Sequence, residues 1–483
     1  MKSRRIRKYI LTSVTSFFWF RFSYDINSDI IARGMEKKLF TDSYLKRLIV
    51  PLIFEQTLEI TVGMADTMMV SSAGEAAVSG VSLVDQVNNL IIAIVSALAT
   101  GGAVVASQYL GADEKENASR SANQLLFTLG LTGIVLMGVA LLFNKPILRL
   151  FFGSIDDSVM RNAVIYFVIT GLSFPFLAVY NAGAALFRSM GNSKITLRIS
   201  LIMNIMNIVG NAIGVFVLHL GAAGVAWPSF FSRGVAAGIV TYLLMDQTLD
   251  VHYLKEKFHI DGTVIHRILY IGIPSGIENG IFELGRVIVV SIIATFGTMQ
   301  IAANGVANNL DGVGVIIGKA MSLAMITVIG QCVGARDEEQ VRYYTKKLMK
   351  ITYIGMWIMD IPLLIFLRPI LHLYGLSEQT LNLAWLLVMI HDASAMIIWP
   401  LAFVLPNMLR ACNDVKFTMT VSLVSMAVNR ILFSWIIGAH FGMGAIGVWI
   451  AMIIDWVCRT IFFVGRYLTG GWKKKMYINA EKA

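Results

Sequence analysis

The feature that most constrains this chain is a succession of twelve apolar segments, each long enough to cross a lipid bilayer. Crossing a hydrocarbon layer of about 30 Å takes about 20 residues of α-helix, whereas a barrel strand needs only about 10. The segments therefore predict membrane-spanning helices and not strands. They lie at 44–70, 78–107, 121–144, 160–187, 195–219, 223–246, 268–294, 302–331, 343–367, 378–409, 415–439 and 445–468.

Composition supports a membrane protein. The 483 residues are 56% hydrophobic and 14% charged, whereas soluble domains carry about 25% charged residues. The net charge of +10 does not indicate nucleic acid binding, because the basic residues lie at the ends of the apolar segments. The three cysteines lack paired spacing, so neither a disulfide framework nor a zinc site is predicted.

The basic residues are distributed unevenly between the two ends of the segments. The termini and the even-numbered loops carry 32 Lys and Arg residues, the odd-numbered loops carry 4, and the remaining 4 lie within segments. The positive-inside rule assigns the basic side to the cytoplasm. We therefore expect a multi-pass protein of the bacterial cytoplasmic membrane with both termini in the cytoplasm.

The second half of the chain repeats the landmarks of the first. A shift of 223 residues superimposes turn and polar residues that apolar helices need not share, and a shift of 222 extends the match. The matched pairs include Pro51 and Pro274, Glu55 and Glu278, Gln108 and Gln331, Gly111 and Gly334, and, at 222, Arg188 and Arg410. Six segments per half is an even number, so both halves insert in the same direction. Such a parallel repeat predicts a substrate path between the halves near the membrane midplane.

These patterns predict an all-α integral membrane protein, with twelve transmembrane helices in two six-helix lobes from a parallel internal repeat. The N-terminal lobe is expected at 44–246, the C-terminal lobe at 268–468, and a cytoplasmic linker at 247–267. Residues 469–483 form a cytoplasmic tail. Residues 1–43 are basic and then aromatic, which favours an interfacial helix over a cleaved signal peptide.

Sequence patterns for hydrolytic, nucleotide-dependent or metal-dependent chemistry are not found. Gly318-Lys319-Ala320 lacks the spacing and the hydroxyl of a phosphate-binding loop, and it lies inside an apolar segment. The histidines are scattered. We therefore expect no enzymatic activity, no cofactor and no direct use of ATP.

Ten acidic residues fall within the apolar segments. A charged residue at the bilayer centre costs about 2.5–3.5 kcal/mol on insertion scales, so such acids are candidates for ion or proton transport. They are Glu55, Glu59, Asp66, Asp85, Glu278, Glu283, Asp311, Asp360, Asp392 and Asp455.

The surroundings expected for these acidic residues differ. Asp360 and Asp455 are expected near segment ends in contact with solvent. Glu283 can pair with Arg286, three residues away on one helix. Glu55 and Glu278 follow the repeated prolines by one turn, so they either bond backbone groups freed at a kink or serve transport. Asp392 follows His391, and adjacent residues on a helix point to different faces, so a relay between them is not expected.

Asp66 is the strongest candidate for binding a coupling ion, because no basic residue lies within two turns of it along the chain to neutralise its charge. The fifth segment carries Asn207 and Asn211, which share one helix face. A carboxylate with two amide oxygens suits a hard cation such as Na⁺. The alternative is that the asparagines only bond neighbouring helices.

The order of these motifs resembles the multidrug and toxic compound extrusion (MATE) family. The resemblance rests on Val62-Gly63-Met64-Ala65-Asp66-Thr67, the two Gln-x-x-Gly-Ala segment ends at 108–112 and 331–335, and Arg188-Ser-Met-Gly-Asn192. It covers about 44–468 and implies two lobes in a V that export cationic, amphipathic compounds in exchange for Na⁺ or H⁺.

The resemblance also implies site residues. Asp66 matches the family's first-segment aspartate that binds the coupling ion, and Asn207 and Asn211 match its fifth-segment partners. In the second lobe, Glu283 and Asp392 are the nearest matches to the family's acids. With Glu278 and Asp311, they are candidates for coupling or substrate binding.

The function expected from the sequence is secondary active multidrug efflux by a monomer, with small amphipathic molecules and lipid as its partners and no nucleic acid. Two alternatives remain. A flippase for lipid-linked precursors would need clustered unpaired cations, and a membrane enzyme acting on lipids would need a nucleophile with a base, or a metal.

Overall fold

The computed structural model describes residues 38–71, 74–153, 156–254 and 259–476. Within these ranges the chain is helical, without strands, and we number its twelve long helical segments α1–α12. They are α1 Asp42–Ser71, α2 Glu75–Gly111, α3 Lys115–Phe152, α4 Asp157–Leu172 with Phe174–Ser189, α5 Ser193–Val217, α6 Ala222–Leu244, α7 Gly262–Ala294, α8 Thr298–Gly314 with Ile316–Gly334, α9 Glu338–Ile365, α10 Glu378–Ala411, α11 Val415–His440 and α12 Gly444–Leu468.

The prediction of an all-α membrane protein with two six-helix halves is confirmed, since the twelve helices follow the twelve predicted segments in order. Nine of the described helices are long and apolar enough to cross a membrane by themselves, and the two parts of α4, bent by 47°, bring the number to ten. The helices α6 and α7 fall outside this set. The expected interfacial helix lies mostly in residues 1–37, outside the described residues.

Helix starts follow from local chemistry. Asp261 begins α7 by accepting hydrogen bonds from the backbone N–H groups of Thr263 at 2.9 Å and Val264 at 3.2 Å. Asp337 caps α9 in the same way through Gln340 N–H at 2.9 Å. Each cap satisfies backbone donors that have no partner within the helix.

The backbone itself repeats between the halves. Gly74 and Gly297 precede α2 and α8 with the same φ of 98°, a conformation that a residue with a Cβ rarely adopts. Both lie at the repeat shift of 223 residues. Asp113 and Arg336, also 223 apart, have φ values of 61° and 55°. The turns of the two halves are thus equivalent in conformation even where their residue types differ.

The two halves meet along α2, α7 and α8. A Cβ on Gly101 of α2 would lie 2.8 Å from the backbone nitrogen of Gly272 on α7. At the ends of α2 and α8, a Cβ on Gly111 would lie 2.7 Å from Gln331 Cα, and one on Gly334 would lie 2.7 Å from the carbonyl carbon of Gln108. Glycine therefore permits close backbone packing at matched positions of the repeat.

The connection between α6 and α7 packs on α3. Asn123 donates to the carbonyl of Leu254 at 2.9 Å and accepts from its N–H at 3.1 Å. Gln124 similarly accepts from the N–H of Asp261 at 3.2 Å. The expected boundaries of the linker and lobes stay predictions, and part of the tail, residues 477–483, lies outside the described residues.

Candidate functional site

A half-buried carboxylate in α1 faces the asparagines of α5. Asn211 Nδ2 donates to Asp66 Oδ1 at 2.7 Å. Asn207 lies between Asp66 and Ser229 of α6, and its partners decide which way its amide faces. With Nδ2 toward the carboxylate, Asn207 donates to Asp66 Oδ1 at 3.0 Å and accepts from Ser229 Oγ at 2.9 Å. The structure thus brings together Asp66, Asn207 and Asn211.

One acceptor in this group has no partner. Oδ1 of Asn211 is buried and makes no hydrogen bond with any described residue, whereas Nδ2 of the same amide lies 3.1 Å from the amide of Asn207. Buried amide oxygens are normally hydrogen-bonded. A carboxylate beside such an oxygen is a set of ligands that a hard cation prefers.

Two further charged residues, Arg233 and Asp85, interact electrostatically with Asp66. The sequence alone did not predict them as its partners. Arg233 of α6 interacts electrostatically with both Asp66 and Asp85. Its guanidinium donates to Ser173 Oγ at 2.8 Å, and Tyr166 donates to Asp85 Oδ1 at 2.9 Å. The spacing along the chain could not indicate Arg233, because it lies 167 residues after Asp66 in the sequence.

The repeated glutamates form equivalent ion pairs. Glu55 accepts from Arg188 at 3.3 Å and from Thr196 at 2.8 Å. The second half reproduces this pair with Glu278 and Arg410. Each of these glutamates is bonded by a basic and a hydroxyl side chain from other helices. The alternative in which they bond backbone groups freed at the proline kink stays a prediction.

In the second half, Arg410 donates to Glu278 Oε1 at 2.7 Å, and Ser422 donates to the same oxygen at 2.5 Å. Glu283 pairs with Arg286 at 3.5 Å, as predicted, and that arginine is 53% exposed. The two glutamates proposed as second-half candidates are thus each paired with an arginine.

Asp311 and Asp392 form a separate group around His391. His391 Nδ1 lies 2.7 Å from Asp392 Oδ1 and also contacts Asp311 Oδ1. The expectation that His391 and Asp392 point apart is wrong, because the imidazole ring turns back toward its neighbour where α8 packs on α10. These three residues could hold a metal ion, since one ligand atom from each lies within 4.8 Å of the others.

Asp360 and Asp455 were expected in solvent, and both are fully buried. Asp455 accepts from Arg459 at 2.9 Å and from Ser425 at 2.5 Å, with Arg430 at 3.8 Å. Packing against neighbouring helices buries both carboxylates, and a position counted along a single segment does not show this.

Comparison with known proteins assigns this chain to a family. The MatE family model matches the chain twice, over residues 51–213 and 274–436. The matches begin 223 residues apart and end 223 residues apart, which confirms the parallel repeat.

Relatives match nearly the whole chain. The uncharacterized transporter YisQ of Bacillus subtilis is 28% identical over 437 residues, covering 88% of this chain and 94% of YisQ. A probable multidrug resistance protein NorM of Thermotoga maritima is 23% identical over 452 residues, covering 91% and 94%.

Solved structures share the fold. A multidrug resistance MATE family transporter of the MOP superfamily, in an outward-facing conformation, superimposes with a TM-score of 0.83 at 20% identity, covering 89% of this chain and 96% of that one. A MOP superfamily transporter from Pyrococcus furiosus gives 0.82 at 19% identity, covering 89% and 96%. With two family matches that together span more than half of its length, this chain belongs to the MatE family, the multidrug and toxic compound extrusion transporters.

Proposed function

We propose that this protein is a secondary active antiporter that exports cationic, amphipathic small molecules in exchange for inward Na⁺ or H⁺. Membership of the MatE family supports transport, and the name of the Thermotoga maritima relative, a probable multidrug resistance protein, supports drugs as substrates. The bias of basic residues supports a bacterial cytoplasmic membrane, with both termini in the cytoplasm. We further propose that one chain suffices for transport.

The observation that carries this proposal is the contact of Asp66 with Asn211. A half-buried carboxylate in a membrane helix needs its charge compensated. The amides of Asn211 at 2.7 Å and Asn207 at 3.0 Å supply hydrogen bonds but no charge, and Arg233 is shared with Asp85. The unpartnered Oδ1 belongs to the same Asn211 amide that bonds Asp66, so it is a further oxygen that an ion at this position could use. Na⁺ or H⁺ at Asp66 would complete the compensation, and the two would compete because both need the ionised carboxylate.

Coupling follows from this competition. Inward movement of one cation is favoured by about 2.3 kcal/mol per 100 mV of membrane potential. The ion drives transport only if it binds one arrangement of the two halves more tightly than the other. Asp66 and its partner Asn211 both belong to the first half, and the halves contact each other through α2, α7 and α8.

The second half offers less for the coupling ion at its glutamates. Glu278 and Glu283 are each paired with an arginine, which argues against either of them as the site of the coupling ion. The same contacts argue against a flippase for lipid-linked precursors. Among the described residues, Arg286, Arg430 and Arg459 within the second half all face carboxylates, so they form no cluster of free cations for pyrophosphate.

A vesicle assay tests the function. Purified protein is reconstituted in liposomes with a fluorescent cationic dye, and a Na⁺ gradient or a pH gradient is imposed separately. We expect one of the two gradients to drive dye movement against its concentration gradient, relative to protein-free liposomes. Dye movement at the same rate with and without each gradient would contradict ion-coupled antiport.

A further inference from the structure

Four buried side chains from three helices converge in the second half. Asp311 comes from α8, Asp360 from α9, and His391 and Asp392 from α10, and none is more than 9% exposed. His391 Nδ1 contacts Asp311 Oδ1 and lies 2.7 Å from Asp392 Oδ1. We call these four residues the histidine–carboxylate cluster.

Much of the hydrogen-bonding capacity of this cluster is unused. Both carboxylate oxygens of Asp360, and Oδ2 of Asp392, are buried without a hydrogen-bond partner among the described residues. A Cβ on Gly314 would lie 2.9 Å from Asp360 Oδ1 and 3.3 Å from Asp392 Oδ1. The two carboxylates therefore face the same point of the α8 backbone, where glycine leaves them room.

The charges of the cluster do not balance. His391 Nδ1 carries at most one hydrogen and faces two carboxylates, so it cannot fully satisfy both. With all three carboxylates ionised, a protonated imidazole would still leave two of the three charges without a partner inside the cluster. The arginines nearby are engaged elsewhere, since Asp455 lies 2.9 Å from Arg459 and 3.8 Å from Arg430. Buried charge without a partner is strongly unfavourable.

Aromatic side chains enclose the imidazole. The His391 ring packs edge-on against Trp456 at 4.8 Å and Trp449 at 5.6 Å between ring centroids. Trp449 is itself fixed, because its indole N–H donates to Asn304 Oδ1 at 2.9 Å. The ring is thus held in one orientation with Nδ1 toward the carboxylates.

We propose that the histidine–carboxylate cluster binds one divalent transition-metal ion of the Zn²⁺ or Mn²⁺ class. Asp311, His391 and Asp392 supply the ligands, and Asp360 supplies a further carboxylate beside them. Imidazole and carboxylate together suit such ions, whereas Na⁺ prefers oxygen ligands alone. Ligand nitrogen and oxygen atoms lie about 2.0–2.2 Å from Zn²⁺, so in a tetrahedral site they are about 3.3–3.6 Å from one another. The three ligand atoms lie within 4.8 Å of one another. The 2.7 Å between His391 Nδ1 and Asp392 Oδ1 must therefore widen by less than about 1 Å to admit the ion.

The proposal is tested by metal binding to the purified full-length protein in detergent, without transport. Isothermal titration with Zn²⁺, and Mn²⁺ electron paramagnetic resonance, should give one site per chain. Removing a ligand with His391→Gln or Asp392→Asn should weaken binding at least ~10-fold. The matched control is His440→Gln, which removes an exposed histidine of the same half and should leave the affinity unchanged.

Competition and folding controls keep the result interpretable. Excess Na⁺ should not displace Zn²⁺, and displacement by Na⁺ would overturn the assignment to a transition metal. Each variant is first required to elute as a single species in size exclusion, and Asp311→Asn replaces any variant that does not. Equal Zn²⁺ binding by the wild type and by folded cluster variants would refute the site. Because no gradient or drug enters the assay, its failure is independent of the antiport proposal.

Discussion

Gln108 and Gln331, which occupy equivalent positions in the two halves, each bond the end of a helix in the opposite half. Gln108 Nε2 donates to the carbonyl oxygen of Ala411 at 3.0 Å, and Gln331 Nε2 donates to that of Ser189 at 2.7 Å. Ala411 and Ser189 end α10 and α4. The two bonds join the halves reciprocally at the end of the molecule that the charge bias assigns to the cytoplasm.

Replacing these glutamines should loosen that junction. A hydrogen bond of this kind contributes about 1 kcal/mol, which corresponds to about a five-fold change in the equilibrium for opening. Cys332 and Cys412 lie beside the two bonds and are fully buried, so their alkylation rate reports opening. We expect Gln108→Leu and Gln331→Leu each to raise alkylation by N-ethylmaleimide several-fold, and the double variant to raise it more.

The measurement is made with Cys458→Ser throughout, because Cys458 is partly exposed. Gln56→Leu serves as the control, since Gln56 is bonded within its own helix to Glu59 at 3.1 Å. Alkylation rates that are the same in the Gln108, Gln331 and Gln56 variants would show that the two bonds do not hold the halves together.

The buried ion pair between Glu278 and Arg410 makes a prediction about stability. Removing one partner of a buried pair costs about 3–5 kcal/mol, because the other charge stays buried alone. Arg410→Met should therefore lower the melting temperature in detergent markedly, and adding Glu278→Gln should restore part of it. Arg286→Met, in the exposed pair with Glu283, should cost less than about 1 kcal/mol. A single Arg410 variant as stable as the Arg286 variant would contradict this account.

The helices could be predicted from the sequence because the hydropathy and the length of a segment depend only on its own residues. The repeat was also visible, since matched residues such as Gly111 and Gly334 serve contacts that both halves need. Helix bends were harder to predict. The 47° bend in α4 and the burial of Asp360 depend on neighbouring helices, and a segment read alone places that aspartate near solvent.

The candidate sites were predictable only where partners share a helix. The pairing of Glu283 with Arg286 follows from a spacing of three residues, and Asn207 and Asn211 share a face for the same reason. The electrostatic interaction of Arg233 with Asp66 and the contact of His391 with Asp311 join distant segments. The spacing of residues along a single sequence cannot indicate either interaction. Only the packing of the helices shows them.

The orientation in the membrane can be tested with exposed loop positions. Glu75 and Thr298 begin α2 and α8 and are exposed, as are Lys115 and Glu339 at the other end. In intact cells, a membrane-impermeant maleimide should label cysteines at 75 and 298 and should not label those at 115 and 339, because the basic side faces the cytoplasm. Permeabilised cells provide the control, in which all four should react. Labelling at 115 from outside would reverse the orientation.

Asp66 carries the carboxylate that we assign to coupling. Asp66→Asn preserves the size of the side chain and lets an amide oxygen still accept from Asn211, but it removes the charge that an ion would balance. We expect normal membrane insertion and retained dye binding. Dye efflux driven by the coupling gradient should fall at least ~10-fold, because the ion could no longer favour one arrangement of the halves. The measurement is gradient-driven efflux from vesicles at matched protein content.

A control and an opposing outcome make the test decisive. Glu59→Gln alters an exposed acid on the same helix, bonded to Gln56, and should leave efflux unchanged. If Asp66 only bonded α1 to α5, asparagine would serve almost as well, since it can make the same interhelical hydrogen bond. Efflux by the Asp66→Asn protein close to that of the Glu59→Gln protein would therefore remove Asp66 from the coupling mechanism, while loss in the Asp66 variant alone would tie the driving ion to its charge.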